Sequence, residues 1–173
     1  HYYCPVMGDI ACPEPGVCYA APSNAQVIRT TDNGATWGDI PAQYWSPRSW
    51  YGVSCTDRNT CWAAGASRSG GIPYGVIETT TDGGNTWIDQ LNNQINVRFW
   101  DIKMADRYNG FAVGCDGAYD SDDRCTGQGV VYRTLYGSAW TRMATFTNSD
   151  VTNVAVLAAC RRGNWNGVRA DRL

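Results

Sequence analysis

Short runs of small, β-branched or aromatic residues recur along the chain, separated by clusters of Gly, Asn, Asp and Ser. Alternation and β-branched content give these runs a period of two, the signature of strands, and no stretch carries the 3.6-residue period of an amphipathic helix. The runs sort by position. VCYAAP (17–22), TCWAAG (60–65) and GFAVGC (110–115) form one set, and QVIRTT (26–31), GVIETTT (75–81) and GVVYRTL (129–135) form a second that follows it each time. SWYGVS (49–54) and RFWDIKM (98–104) precede the set, while TWGDI, TWIDQL and AWTRMAT close it, each around a Trp: Trp37, Trp87 and Trp140. The order predicts four antiparallel strands per unit, with Trp marking the entry to the fourth.

A repeat of roughly fifty residues built of four short strands is the pattern of β-propeller blades. The expected fold class is all-β, a propeller-like array of about three four-stranded blades (units about 1–45, 46–96 and 97–150). VTNVAVLAAC (151–160) resembles one further first strand, a partial unit, and the polar 161–173 tail reads as a docking arm or a disordered end. Residues 1–160 would make one domain.

Composition sharpens this picture. Gly, at 19 of 173 residues, is enriched, and only 17% of residues are charged. The formal net charge is −2, and Lys103 is the sole Lys, so neither a nucleic-acid footprint nor a basic membrane patch is expected. No apolar run reaches membrane-spanning length. The first residue is His1 rather than Met, which suggests a processed chain or part of something longer. His1 is also the only His, so a copper-binding histidine brace, a Ser-His-Asp triad and His-based zinc sites cannot be assembled.

The eight Cys contain no C-x-x-C pair, which favours a disulfide framework in an oxidising, extracellular setting. Cys12 and Cys18 share their interval and their place in the unit with Cys55 and Cys61, and predict two equivalent bridges. The Trp alignment puts Ala105 and Phe111 in the third unit, where both Cys are lost together. Cys115 and Cys125 bracket an insertion and are expected to pair across it. Cys4 and Cys160 remain and could tie the chain's ends together, by elimination alone among roughly a hundred connectivities.

Two stretches are nearly identical: Thr30-x-Asp32-x-Gly34-x-Thr36-Trp37 and Thr80-x-Asp82-x-Gly84-x-Thr86-Trp87. They resemble the Asp-box, or BNR, repeat of sialidases, sortilin-type receptors and propellers like photosystem II assembly factors; the wording is most similar to the last group. The third copy, RTLYGSAW, keeps Gly137 and Trp140 but sets Arg133 and Leu135 where Thr and Asp belong. The resemblance implies that these residues build the turn between third and fourth strands, away from the usual ligand face. Asp and Thr side chains satisfy turn amides and Gly supplies a positive φ, so the motif is architectural.

Catalytic readings find less support. The resemblance to sialidases would call for an arginine cluster, a Tyr–Glu pair and an Asp acid, yet Arg-Ile-Pro is missing and only Glu14 and Glu78 exist. Glu78 sits on an alternating strand, where solvent or a neighbouring Arg is its natural partner. General glycosidase chemistry needs two opposed carboxylates, and the chain distinguishes no such pair. Asp116, Asp120, Asp122 and Asp123 crowd one loop and could hold Ca²⁺; the alternative is a solvated acidic loop, and no other cofactor is expected. Tyr44, Trp45, Trp50, Tyr51, Trp62, Phe99 and Trp100 could stack on a glycan or a protein, but core packing between blades accounts for such residues. No N-glycosylation sequon is present.

A closed propeller needs four or more blades, and three open ones expose edges and apolar faces. The blades could belong to a longer propeller, copies could complete one another, or the units could form an atypical compact array. The favoured expectation is a non-catalytic extracellular structural or interaction module that self-associates into a larger, filamentous structure or binds another protein chain. The alternatives are a sialidase-like glycoside hydrolase and a receptor or assembly-factor propeller.

Overall fold

The computed structural model describes residues 7–23, 25–39, 48–69, 72–117, 126–147, 153–156 and 168–171. Its ordered elements are all strands. β1 (Met7–Glu14), β2 (Val17–Pro22), β3 (Ile28–Thr30) and β4 (Gly38–Asp39) form sheet 1. β5 (Arg48–Cys55), β6 (Cys61–Ser69), β7 (Ile72–Thr80) and β8 (Ile88–Ile95) form sheet 2. β9 (Val97–Met104), β10 (Gly110–Asp116), β11 (Gln128–Thr134) and β12 (Trp140–Thr147) form sheet 3. Each is an antiparallel meander in chain order, so consecutive strands pair through short turns.

Two strands follow. β13 (Asn153–Val156) pairs with β14 (Val168–Asp171) and lies against β9 and β10, where a fourth sheet would begin. β14 falls in the 161–173 tail and forms an antiparallel ladder with β13.

The sheets stack face to face. Val17, Tyr19 and Ala21 of sheet 1, with Val27 just before β3, pack on Val53, Cys61, Ala63 and Val76 of sheet 2. Trp62, Ala64 and Ile77, on the other side of sheet 2, pack on Ala112, Val130, Tyr132 and Trp140 of sheet 3. Successive residues of a strand point to opposite faces, which is how one strand serves two interfaces and why β2, β6 and β10 are apolar almost throughout. Phe111, Val113 and Val131 form a third cluster on the far side of sheet 3.

The first strands β1, β5 and β9 meet along their length. A Cβ on Gly52 would stand 2.8 Å from the Asp101 Cα, closer than real Cβ contacts allow, so glycine permits the approach of β5 to β9. Lys103 fixes the junction. Its ammonium lies 2.6 Å from Asp9 Oδ2 and 3.2 Å from Asp101 Oδ1, and the same Asp9 oxygen accepts the Val53 amide at 3.2 Å. Burial works against the lysine charge, but the hydrogen bond to Asp9 and the Asp101 charge outweigh it and raise its pKa. The sole Lys thus links sheets 1 and 3 across sheet 2.

Candidate interaction face

The repeated turns are built the same way in sheets 1 and 2. The Thr30 hydroxyl donates to Asp32 Oδ1 (2.8 Å) and accepts the amides of Asp32 (3.3 Å) and Gly34 (2.9 Å). Asp32 in turn accepts the Thr36 amide (2.9 Å) and hydroxyl (2.6 Å). Thr80, Asp82, Gly84 and Thr86 repeat the set at 2.8, 3.3, 2.8, 2.9 and 2.6 Å. The Thr36 side-chain and backbone hydrogen bonds hold the Asp32 carboxyl at a pKa of about 2, and those of Thr86 lower that of Asp82. Gly34 and Gly84 sit at φ 84° and 89°, which a side chain would strain.

These turns dock on the first hairpin of their own sheet. The amides of Asn33, Gly83 and Gly137 donate to the carbonyls of Gly16, Asn59 and Tyr108. Cys12 bonds to Cys18 and Cys55 to Cys61, each across that first hairpin. Cys115 is also disulfide-bonded; Cys125, Cys4 and Cys160 lie outside the described residues.

Sheet 3 keeps the arrangement in a different register from the one the Trp alignment suggests. Met104 and Gly110, not Ala105 and Phe111, are the cross-strand pair equivalent to Cys55 and Cys61. A Cβ on Gly110 would overlap the Met104 sulfur, so a packed thioether stands where the other sheets have a bridge. Thr134, fully buried like Thr30 and Thr80, takes the buried-Thr position in place of Arg133. Its hydroxyl accepts the Tyr136 amide at 3.4 Å, putting Tyr136 rather than Leu135 where Asp32 and Asp82 stand. Gly137 matches Gly83 and not Gly84, and the turn is one residue shorter before Trp140.

The three Trp differ in what covers them. Trp87 packs, with Cys55 and Cys61, into the core that sheet 1 supplies, and Trp140 is 8% exposed beneath sheet 2. Trp37 is 40% exposed. Around it the outer face of sheet 1 forms an open groove of about 520 Å³ lined by Ile10, Cys12, Pro13, Pro15, Gly34 and Trp37. Ile10 is 56% exposed there. What sheets 2 and 3 pack against a neighbour, sheet 1 presents to solvent.

The internal interfaces show what such a face receives. Tyr19 of sheet 1 donates its hydroxyl to the Arg58 carbonyl of sheet 2 at 2.7 Å, and Arg29, stacked on Tyr19, donates to the Gly83 carbonyl at 3.1 Å. Trp62 of sheet 2 donates its indole N–H to the Gly137 carbonyl of sheet 3 at 3.2 Å, where Gln90 also donates. Gln90 accepts the Trp140 indole N–H at 2.9 Å. Aromatic residues with polar tips therefore pin the turns of the next sheet while their rings fill the apolar gap.

The other sequence candidates among the described residues make ion pairs, hydrogen bonds or ring contacts. Glu78 pairs with Arg48, which also reaches Asp89, and Glu14 accepts the Arg58 amide at 3.4 Å. Asp116 pairs with Arg142 at 2.5 Å; Asp120, Asp122 and Asp123 lie outside the described residues. Tyr51 and Trp100 stack tilted at 4.9 Å with the Arg98 guanidinium over Trp100, while Tyr44 and Trp45 lie outside the described residues. The groove on sheet 1 escapes sequence inspection because the wording of the first two turns is nearly the same; only stacking order separates the covered Trp from the open one.

A stack of four-stranded antiparallel meanders with their first strands together defines a β-propeller-like protein. Solved structures agree. YCF48 bound to a D1 peptide matches at a TM-score of 0.62 with 18% identity, over 87% of this chain and 44% of that one. The GH74 xyloglucanase of Xanthomonas campestris matches at 0.55 with 13% identity, over 80% of this chain and 21% of that one. A GH74 enzyme of Niastella koreensis matches at 0.56 with 19% identity, over 75% and 20%. The chain thus spans less than half the length of each of these structures, and at such identities the likeness is one of fold. No protein-family model and no curated protein sequence matches the chain.

Proposed function

We propose that this chain is a non-catalytic, extracellular Asp-box propeller module that works by contact with other protein chains, its own copies among them. The uncovered face of sheet 1 supports the reading: Trp37, Ile10 and the Cys12–Cys18 bridge line a groove, with Glu14 and Asn33 among its polar residues, whose equivalents in sheets 2 and 3 pack against another sheet. Contiguous exposed apolar surface of this kind marks interaction sites. The Thr–Asp–Thr hydrogen bonds support the Asp-box reading, and the disulfides fit an oxidising compartment. Peptide binding by the structurally similar YCF48 is consistent with protein recognition. Light scattering of the native, non-reduced chain over a dilution series tests the proposal. Assemblies heavier than 19.0 kDa that dissociate when Ile10 and Trp37 are both changed to Asp are expected. A chain that stays single at every concentration, with no protein partner displaced by that double change, would contradict it.

A further inference from the structure

Resting on the reading of the chain as a protein-contact module, we infer that the turn end of sheet 3 is a second contact site, and that its ligand is an extended, proline-rich segment of another chain. Two turns meet there. The turn between β9 and β10 carries Tyr108, and the one between β11 and β12 carries Leu135 and Tyr136. The Gly137 amide donates to the Tyr108 carbonyl at 2.8 Å, which sets the two turns side by side. Tyr108 is 54% exposed, Tyr136 76% and Leu135 45%. The tyrosine positions hold Gly16 and Asp32 in sheet 1 and Asn59 and Asp82 in sheet 2, so among the three sheets only the third carries an aromatic pair. Exposure at this place does not depend on what lies beside the sheet. Sheet 2 packs between sheets 1 and 3, and its Asn59 and Asp82 are exposed all the same.

The fold holds the pair without using it. Among the described residues neither hydroxyl has a hydrogen-bond partner and the two rings do not stack on each other; the Arg107 guanidinium lies over Tyr108, 5.7 Å from its centroid. The backbone beneath the rings is pinned. The Gly137 carbonyl accepts the Trp62 indole N–H at 3.2 Å and the Gln90 amide, and Asp106 Oδ1 accepts the amides of Tyr108 at 2.7 Å and Asn109 at 2.9 Å. A platform fixed in this way loses little freedom when a ligand arrives.

Size and chemistry select the ligand. Two rings and a leucine fall well short of the roughly 800 Å² that each partner buries in a stable contact between folded proteins. A thin ligand matches the patch. A polyproline II segment is thin, is already extended before binding, and keeps every carbonyl free of internal hydrogen bonds. Its pyrrolidine rings would lie on the tyrosine faces and Leu135 while the two unused hydroxyls donate to its carbonyls. Asp57, Asp82 and Asp106 outnumber Arg58 and Arg107 on the turns of sheets 2 and 3, which disfavours an acidic segment.

Fluorescence anisotropy of a labelled oligoproline of about ten residues, titrated with the native chain, tests the site. Saturable binding is expected, and Tyr108→Ala combined with Tyr136→Ala should weaken it at least about tenfold. Tyr108→Phe combined with Tyr136→Phe keeps the rings and removes only the donors, and should weaken it by about threefold. All these changes fall at exposed positions, and circular dichroism matching the parent keeps the comparison valid. The chain carrying Ile10→Asp and Trp37→Asp should bind the peptide as the parent does, because the groove on sheet 1 is a different surface. Oligoproline that fails to bind, or that binds the alanine variant as tightly as the parent, overturns the assignment. A neutral glucose oligomer that binds through the same tyrosines where oligoproline does not would make the place a sugar site and overturns it as well. Light scattering separates this failure from that of the broader reading: a chain that assembles but ignores the peptide loses only the sheet 3 site, whereas one that neither assembles nor binds a protein segment loses both.

Discussion

A buried threonine hydroxyl that serves several partners is costly to remove. Thr80 is almost fully buried, and its Oγ1 accepts two turn amides while donating to Asp82. Replacement by valine keeps the shape and leaves those groups unmatched, so Thr80→Val should lower stability by about 2 kcal/mol in thermal or denaturant unfolding. Thr134→Val, where the hydroxyl accepts one long bond from Tyr136, should cost clearly less. The aspartates add a pH signature. Because the folded Asp32 titrates at about 2, below its unfolded value, the turn's contribution is complete above the ordinary Asp range near pH 4 and is lost as pH falls through 2. Carboxyl NMR should find Asp32 still ionised at pH 3; a midpoint near 4 would show that the Thr36 bonds are not formed in solution.

Among the elements, the two bridged hairpins offer a direct comparison. Cys61 is fully buried under sheet 1, whereas Cys12 and Cys18 line the open groove. Under mild reductant, alkylation followed by mass spectrometry should therefore show Cys12–Cys18 opening before Cys55–Cys61 in the single chain, since exchange needs access to sulfur. Equal rates would place sheet 1 somewhere other than over the second bridge. The junction of β1, β5 and β9 is tested by Lys103→Met, which leaves Asp9 and Asp101 without their shared cation and should cost about 2 kcal/mol. Adding Asp9→Asn should recover part of that loss in a double-mutant cycle. These elements differ in how openly the sequence displays them. Strand runs such as TCWAAG and the repeated Cys interval were legible because each records a local period. The Met104–Gly110 pair and the shortened third turn were not, because alignment on Trp140 hides a one-residue deletion that only strand pairing reveals. β14 was missed for a similar reason: its partner β13, not its own alternation, makes VRAD a strand.

For the whole molecule, order in the stack decides which copy of the turn stands open. The Trp of the repeated turn packs against the core in sheet 2 and stands open in sheet 1, so no residue count or motif marks the open one. Hydroxyl-radical footprinting of the native material and of the same material diluted to single chains compares the two situations in one molecule. Trp37 should be oxidised several-fold more slowly before dilution than after it, while Tyr136, 76% exposed at the far turn, and the covered Trp87 should keep their rates. A Trp37 that is oxidised equally fast in both samples would show that its groove is never occupied, and would contradict the assignment of sheet 1 as the interaction face.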